Sequence, residues 1–456
     1  MKFLKGLLSI VLAALVVVLG VVVWGNYDLY REEQAEIAAS EKPVEDWQPE
    51  DNPLAPENRP DPEVTDPVEA PENTTGMTLA YCGDIVAHSG LNSEAQNENG
   101  YDYTTLMGGA AGYVSAADYA VCTLETTFPE TTDYTGYPMF KSPKGLATSL
   151  KNLGFDLIST ASNHCMDSYQ SGLNATLDVL DENGLDHVGT YRSQEERDAN
   201  NGIVVREING ISVAFLAFTY GTNGIPVTGF EYAANIFFND YLTNLSDINY
   251  DILKDDMAAA RALNTDLIVV FMHWGNEYYT EPVAYQYELA DYMFEQGADI
   301  ILGGHVHVPE PMEVRTVTDV DGNEKTGYIC YCLGNFVSCQ NDRYTNLTAV
   351  VTLSIEKNLD TGETYLKNVG YAPLFMVDLE DYGVYGAGWR YKLWDLHAAI
   401  NAYESGDDLG VINSALYDAL KQGLEDVHSI FGAEFDIYDP GYTPNTVGEM
   451  PVPKTE

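Results

Sequence analysis

The chain has 456 residues, with 70 acidic against 22 basic side chains and a formal net charge of −48 at pH 7. A protein that tracks phosphates along a nucleic acid needs a basic stripe, so this balance argues against nucleic acid as a partner. The length suits one large domain with its own core or two smaller ones, and the acidic surplus reads as a solvated exterior rather than as a metal site in itself.

Lys2 and Lys5 precede an almost uninterrupted apolar run from Leu7 to Trp24, diluted only by Ser9 and Gly20. About 20 apolar residues cross a bilayer as a helix. No small-residue cleavage site follows closely, so a retained single-pass transmembrane anchor is preferred over a cleaved signal peptide. Lysines before the run and Asp28, Glu32 and Glu33 after it place the N-terminus inside and the bulk of the chain outside. Residues 1–30 are thus a cytoplasmic stub and anchor at the cell membrane. Residues 41–75 read EKPVEDWQPEDNPLAPENRPDPEVTDPVEAPENTT. Recurrent Pro and repelling acids leave this stretch without a core, as an extended extracytoplasmic linker.

From residue 77 short apolar runs alternate with amphipathic stretches. Strands are expected at Met77 to Cys82, Tyr119 to Leu124 and Leu157 to Ala161, and a helix at Leu173 to Glu182 closed by Asn183-Gly184. Val204 to Ile208 and Val213 to Ala217 flank Asn209-Gly210 as a β-hairpin. Helices follow at Ile252 to Leu263 and Tyr285 to Gln296, with strands at Leu267 to Met272, Asp299 to Leu302, Tyr328 to Leu333 and Ala349 to Ile355. This alternation predicts an α/β fold with sheets covered on their faces. Residues 376–456 have helical patterning at Trp394 to Tyr403 and Val411 to Ile430 before a Pro- and Gly-rich tail. They are set apart as a C-terminal extension from the domain expected over 77–375. Cys82, Cys122, Cys165, Cys330, Cys332 and Cys339 form no CxxC pair, and they read best as small buried hydrophobes.

The strands share one regularity. They end in Asp84, Glu125, Asn163 and His164, His273, and His305 with His307. Ligands of open α/β sheets bind beyond the carboxyl ends of the strands, so these residues can converge on one crevice. In an extended loop, His305 and His307, one residue apart, would project to the same side. Gly303 and Gly304 before them allow close backbone approach. Mixed carboxylate, amide and imidazole donors suit Mn, Zn or Fe, and a bridging carboxylate can hold two ions together.

The ordered motifs Gly83-Asp84, Leu124-Glu125, Ser162-Asn163-His164, His273-Trp274-Gly275 and Gly304-His305-Val306-His307 resemble the calcineurin-like metallophosphatase superfamily. Together with Leu333-Gly334-Asn335-Phe336 and Asn163-His164-Cys165-Met166-Asp167, they are most similar to its bacterial poly-γ-glutamate capsule synthesis branch, over roughly Thr78 to Pro373. The resemblance implies a metallophosphatase-like α/β/β/α sandwich with mixed sheets and two divalent metal ions. Glu125 would bridge the ions, Asp84 and His307 would hold the first, and Asn163, His273 and His305 the second. His164 would face the substrate as a catalytic acid, with Asp167 either orienting it or serving as a first-turn helix acid. The implied partners are a polyanionic capsule polymer and membrane synthase or export proteins.

Two departures stand out. The superfamily's first motif is Asp-x-His, but Asp84 is followed by Ile85-Val86, with His88 two positions further on. Glu125 stands where phosphatases use Asp. The alternatives to a capsule role are therefore a metal-dependent hydrolase of some other phosphoester or envelope polymer, and a catalytically silent binding module. Glu277 is read as facing solvent. Lys141 and Lys144 are read as surface lysines within reach of an anionic substrate, and His187, His397 and His428 as structural.

Overall fold

The computed structural model describes residues 73–442. The apolar N-terminal run, nearly all of the linker and the end of the C-terminal tail lie outside the described residues. No described helix is long and apolar enough to cross a membrane.

The first half contains β1 (Thr74–Ile85), α1 (Ser89–Ala95), the short pair β2 (Gln96–Asn97) and β3 (Gly100–Tyr101), and α2 (Ala111–Ala116). It continues with β4 (Tyr119–Leu124), α3 (Gly145–Leu153), β5 (Leu157–Ser159), α4 (Tyr169–Glu182) and β6 (Asp186–Val188). Next come α5 (Gln194–Ala199), β7 (Val204–Ile208), β8 (Ile211–Thr219), α6 (Tyr250–Ala262), β9 (Leu267–His273), α7 (Ala284–Glu295) and β10 (Ile300–Gly304). The chain then forms β11 (Pro309–Thr318), β12 (Glu324–Leu333), β13 (Asn335–Val337), β14 (Leu347–Asn358), β15 (Thr364–Asp378), β16 (Tyr391–Asp395), α8 (Leu396–Glu404) and α9 (Ser414–Phe431).

These strands build two mixed sheets. One runs β16-β15-β14-β1-β4-β5-β6, with β13 also pairing β1; the other runs β11-β12-β10-β9-β8-β7. Strands β1, β4, β5 and β6 are parallel neighbours, as are β8, β9, β10 and β12, so their carboxyl ends point the same way within each sheet. Side-chain alternation assigns the layers. Leu79, Tyr81 and Val121 of the first sheet meet Phe215, Val269, Phe271 and Leu302 of the second in one core. The intervening Ala80, Cys82 and Cys122 face α1, α3 and α4. Ile268, Val270 and Met272 face α6 and α7. The result is helices, sheet, sheet, helices. All six cysteines are free and five are buried.

Strand β15 runs through the expected boundary near residue 375, and β16 extends the same sheet. Helix α9 buries Leu416, Leu420, Val427 and Phe431 in the core between the sheets, beside Leu347 and Phe375. Gly423 in the same helix lets it approach closely, since a Cβ there would lie 2.9 Å from the Phe375 ring. Beyond the residues that its apolar runs indicated, β1 continues to Ile85. A bulge separates its Tyr81 and Asp84 pairings with β4, which re-aims the strand end.

Phe271 is 2% exposed and packs edge-on against Tyr81 with ring centroids 6.2 Å apart. Phe271→Ala is expected to lower unfolding stability by about 3–5 kcal/mol in denaturant titration. A loss below about 1 kcal/mol would contradict the inter-sheet core.

Candidate functional site

The strand ends meet in one crevice. Asp84 and Glu125 are both fully buried, and His273, His305 and His307 are each no more than 4% exposed. Glu125, Oε1 and Oε2 together, lies 3.7 Å from His273 Nε2, 3.9 Å from His307 Nδ1 and 3.9 Å from His164 Nε2. These gaps are too long for hydrogen bonds. The gap to His273 Nε2 matches the roughly 3–4 Å that separates two donors sharing an ion about 2.1 Å from each. Donor atoms of Glu125, His273 and His305 lie within 4.8 Å of one another, and so do those of Asp84, Glu125 and His307. The two groups share Glu125. Asn163 Oδ1 joins the first group at 2.8 Å from His273 Nε2.

Several buried polar atoms here have no hydrogen-bond partner: Asp84 Oδ1, both Glu125 carboxylate oxygens, His273 Nδ1 and His305 Nδ1. An unpaired buried charge is costly, so each carboxylate is held protonated to higher pH. Burial, then the charge of Glu125, pushes Asp84 up to about 7, against the pull of His273 and the His305 N–H. Burial pushes Glu125 up to about 8, against the opposing effect of His164. Burial also takes His273 down to about 4 and His307 down to about 3, and holds His305 well below its ordinary value. Neutral imidazoles with free lone pairs beside uncompensated carboxylates are a donor set that fits divalent cations.

The backbone around this set is closely packed. Asp84 Oδ2 accepts the His305 N–H at 2.7 Å, and the Asp84 N–H donates to Gly334 O at 3.0 Å. A Cβ on Gly304 would lie 2.4 Å from Asp84 Oδ1, and one on Gly303 would lie 1.8 Å from Tyr331 O. The two glycines therefore serve the close approach expected of them. The HxH segment itself is not extended: His305 has φ +100° and His307 φ +66°, both left-handed. Such residues cost roughly 1–3 kcal/mol each and persist where surrounding contacts fix them. Val306, buried with Val308 and Cys332, anchors the segment between the two rings.

His164 stands beside this set at 5% exposure. Its Nδ1 is 2.7 Å from Asp167 Oδ2, and its ring packs edge-on against Phe140. Burial opposes a charge on His164. The hydrogen bond and charge of Asp167, followed by Glu125 and Glu277, outweigh burial and raise its pKa. Asp167 Oδ2 also accepts the Phe140 N–H.

Other candidates fall elsewhere. His88 packs edge-on against Phe140, with Nδ1 3.1 Å from Val86 O, and joins neither donor group. Glu277 is exposed, as expected, yet its Oε1 comes within 4.0 Å of His307 Nε2 at the crevice rim. Lys144 is exposed at the start of α3, while Lys141 pairs through its backbone with Thr135.

Three further residues had no assigned role in the sequence. Tyr220 lies over His305 with ring centroids 4.5 Å apart. Asn223 reaches both Asn163, at 3.1 Å, and His164 Nε2, at 3.2 Å. Asn335 donates through Nδ2 to Thr345 O and Gln340 Oε1, which turns its Oδ1 toward His307 Nδ1 at 3.0 Å. That bond places the His307 proton on Nδ1 and leaves the Nε2 lone pair free. The Leu333-Gly334-Asn335-Phe336 segment was the signal for Asn335. The other two are non-local contacts with no spacing to betray them.

Fold and crevice together define a two-sheet α/β protein with a carboxylate-bridged pair of candidate metal-binding groups at its strand ends. The model of the bacterial capsule synthesis protein PGA_cap family matches residues 78–340, and the chain belongs to that family. It is 34% identical over 209 residues to the PGA biosynthesis protein CapA of Bacillus subtilis (strain 168), covering 46% of this chain and 49% of that protein. It is 29% identical over 309 residues to the capsule biosynthesis protein CapA of Bacillus anthracis, covering 65% and 68%. The chain thus spans about half the length of the first relative. Similar solved structures include the calcineurin-like phosphoesterase YfkN from Bacillus subtilis, at 11% identity and TM-score 0.38 over 78% of this chain and 98% of that one. A 5'-nucleotidase precursor from Thermus thermophilus matches at 15% and 0.38 over 78% and 58%.

Asn335→Ala removes the acceptor that sets the His307 tautomer. Divalent-ion affinity, measured by competition with a chelating dye, is expected to fall about 10- to 100-fold. Unchanged affinity in a folded variant would show that Asn335 does not orient the imidazole.

Proposed function

We propose that this chain is a membrane-tethered, extracytoplasmic component of capsule-polymer synthesis, of poly-γ-glutamate type, with a dinuclear metal site that hydrolyses phosphoesters. The observation that carries the reading is the sharing of Glu125 by two donor groups. Asp84 and His307 would hold one ion with it, and Asn163, His273 and His305 would hold the other. Mn, Zn and Fe all suit the donors. The bound pair supplies Lewis acidity toward a phosphoryl oxygen.

The chain's own residues do the rest. His164 sits outside both donor groups with a raised pKa, so it can deliver a proton from Nε2 to a leaving oxygen while Asp167 holds Nδ1. Asn223 Nδ2 lies 3.2 Å from Nε2 and can donate to that nitrogen only once its proton has left. The apolar run from Leu7 to Trp24 and the acidic linker after it support anchoring outside the cytoplasm. The family and the two capsule relatives support the polymer role. The net charge of −48 disfavours a polyanion at long range, so such a polymer would need the cations as its contact.

A second reading, a site that binds polymer or a partner without turnover, is favoured by one observation. Val86, where related phosphatases carry a histidine, is fully buried and bonded through its backbone to Val337. The first ion would therefore have fewer protein donors than the second.

The metal-loaded protein is expected to hydrolyse bis-p-nitrophenyl phosphate with added Mn. His164→Ala is expected to lower kcat by about 10²- to 10⁴-fold while leaving metal content intact. Glu125→Ala is expected to lose the crevice ions and the activity together. Metal bound at full stoichiometry with no turnover would favour the binding reading. Turnover untouched by either substitution would contradict the hydrolytic one.

A further inference from the structure

A second cluster lies in the C-terminal extension, beyond the residues matched by the family model. His397 Nε2 and His428 Nε2 each lie 2.7 Å from the same Asp436 oxygen, Oδ2. Sequence spacing could not show this, because His397 and His428 stand 39 and 8 residues from Asp436. Each group arrives from a different segment. Asp395 caps α8 by accepting the Ala398 N–H at 2.7 Å, which fixes His397 in the first turn. The apolar stripe of α9 fixes His428 in that helix's last turn. Asp436 follows a short 3-10 turn, Ala433–Phe435, and is held against β15 by the bond from the Ile437 N–H to Tyr371 O.

The carboxylate is fully buried, while the two imidazoles keep 19% and 23% of their side-chain surface exposed. Asp436 Oδ1 is occupied by the Tyr438 N–H at 2.9 Å. That leaves Oδ2 directed at both rings, and the half-exposed Tyr438 ring packs on His397 with centroids 5.2 Å apart. Donor atoms of all three residues lie within 4.8 Å of one another.

We propose that His397, His428 and Asp436 form a mononuclear divalent-metal site, of the zinc class, that ties the C-terminal helices to the main sheet. Two imidazole nitrogens and one carboxylate oxygen, with a fourth position open to water, are a donor set of that class. Donors about 2.0 Å from a tetrahedral ion stand roughly 3.3 Å apart, so the two 2.7 Å contacts open by about half an ångström to admit it. The exposed imidazoles can make that shift, and the buried carboxylate need not move. The ion would replace the two imidazole–Asp436 hydrogen bonds that, with packing and backbone bonds, join these three segments. Its role is therefore structural: it binds the folded extension and not the unfolded chain. The site does not depend on the crevice being catalytic.

The test uses the full chain, stripped with chelator and reloaded with Co(II), whose visible spectrum reports tetrahedral coordination. Wild type is expected to bind one equivalent more than the crevice takes. Glu125→Ala and His305→Ala are expected to retain that equivalent and its spectrum. His397→Gln and His428→Gln keep a donor toward Asp436. They are expected to lose the equivalent and to leave phosphodiesterase activity unchanged. Zn(II) added to Glu125→Ala is expected to raise Tm by several degrees, and this rise is expected to vanish in Glu125→Ala/His428→Gln.

His428→Cys gives an independent readout, since a cobalt-bound thiolate adds an intense near-ultraviolet band. Unchanged Co(II) stoichiometry in folded His397→Gln and His428→Gln, or no thiolate band in folded His428→Cys, would overturn the proposal. Loss of the crevice equivalents alone would count against the dinuclear reading and leave this one standing.

Discussion

Asp84 and Glu125 are carboxylates buried among imidazoles, and the crevice is organised around the charge they would carry. In water either group ionises near pH 4. Here burial lifts them to about 7 and about 8, and the three neighbouring histidines are pushed toward neutrality, so the rings do not supply the missing positive charge. A cluster of this kind destabilises the fold unless something compensates it. Two divalent cations would do so, with Asp84 Oδ1 and both Glu125 oxygens as unpartnered donors ready to take them. Asp84 also accepts the His305 N–H, so the electrostatics of the site are tied to the backbone that shapes it.

The fold places these groups through a small number of close approaches. The bulge at the end of β1 turns Asp84 toward β10, and Gly304 lets the two strand ends come together. A Cβ on Gly83 would lie 2.1 Å from Gly334 O, so that glycine admits the segment carrying Asn335. The inter-sheet core behind the site, with Tyr81 donating to Gly303 O at 2.6 Å, fixes the two strand ends relative to each other. His164 is positioned differently, by Asp167 and Phe140, which leaves its Nε2 outside the donor groups. On the proposed reading, one crevice separates ion holding from proton delivery.

Much of this was legible in the residues. The apolar runs marked the strands that carry Asp84, Glu125, His273 and His305, and the rule that ligands gather at strand carboxyl ends brought them together. The hairpin at Asn209-Gly210 formed between β7 and β8 as the turn residues indicate. The left-handed backbone of His305 and His307 was not legible. Nothing in an HxH motif announces a conformation that neighbouring contacts impose, and the extended loop expected there does not form. Strand β11 was missed because Pro309 and Pro311 and its charged positions break the apolar pattern. The second His and Asp cluster was hidden for the opposite reason. Its residues sit in helix ends chosen by capping and packing, and only the docking of α8 and α9 brings them together.

The central claim is that Glu125 bridges two cations. X-ray diffraction from crystals of Mn-loaded protein, with anomalous differences collected at the manganese edge, measures this most directly. Two crevice peaks are expected about 3.5–4 Å apart, with one Glu125 oxygen toward each and His307 and His305 on different ions. A single crevice peak, or two peaks with Glu125 touching only one, would contradict it.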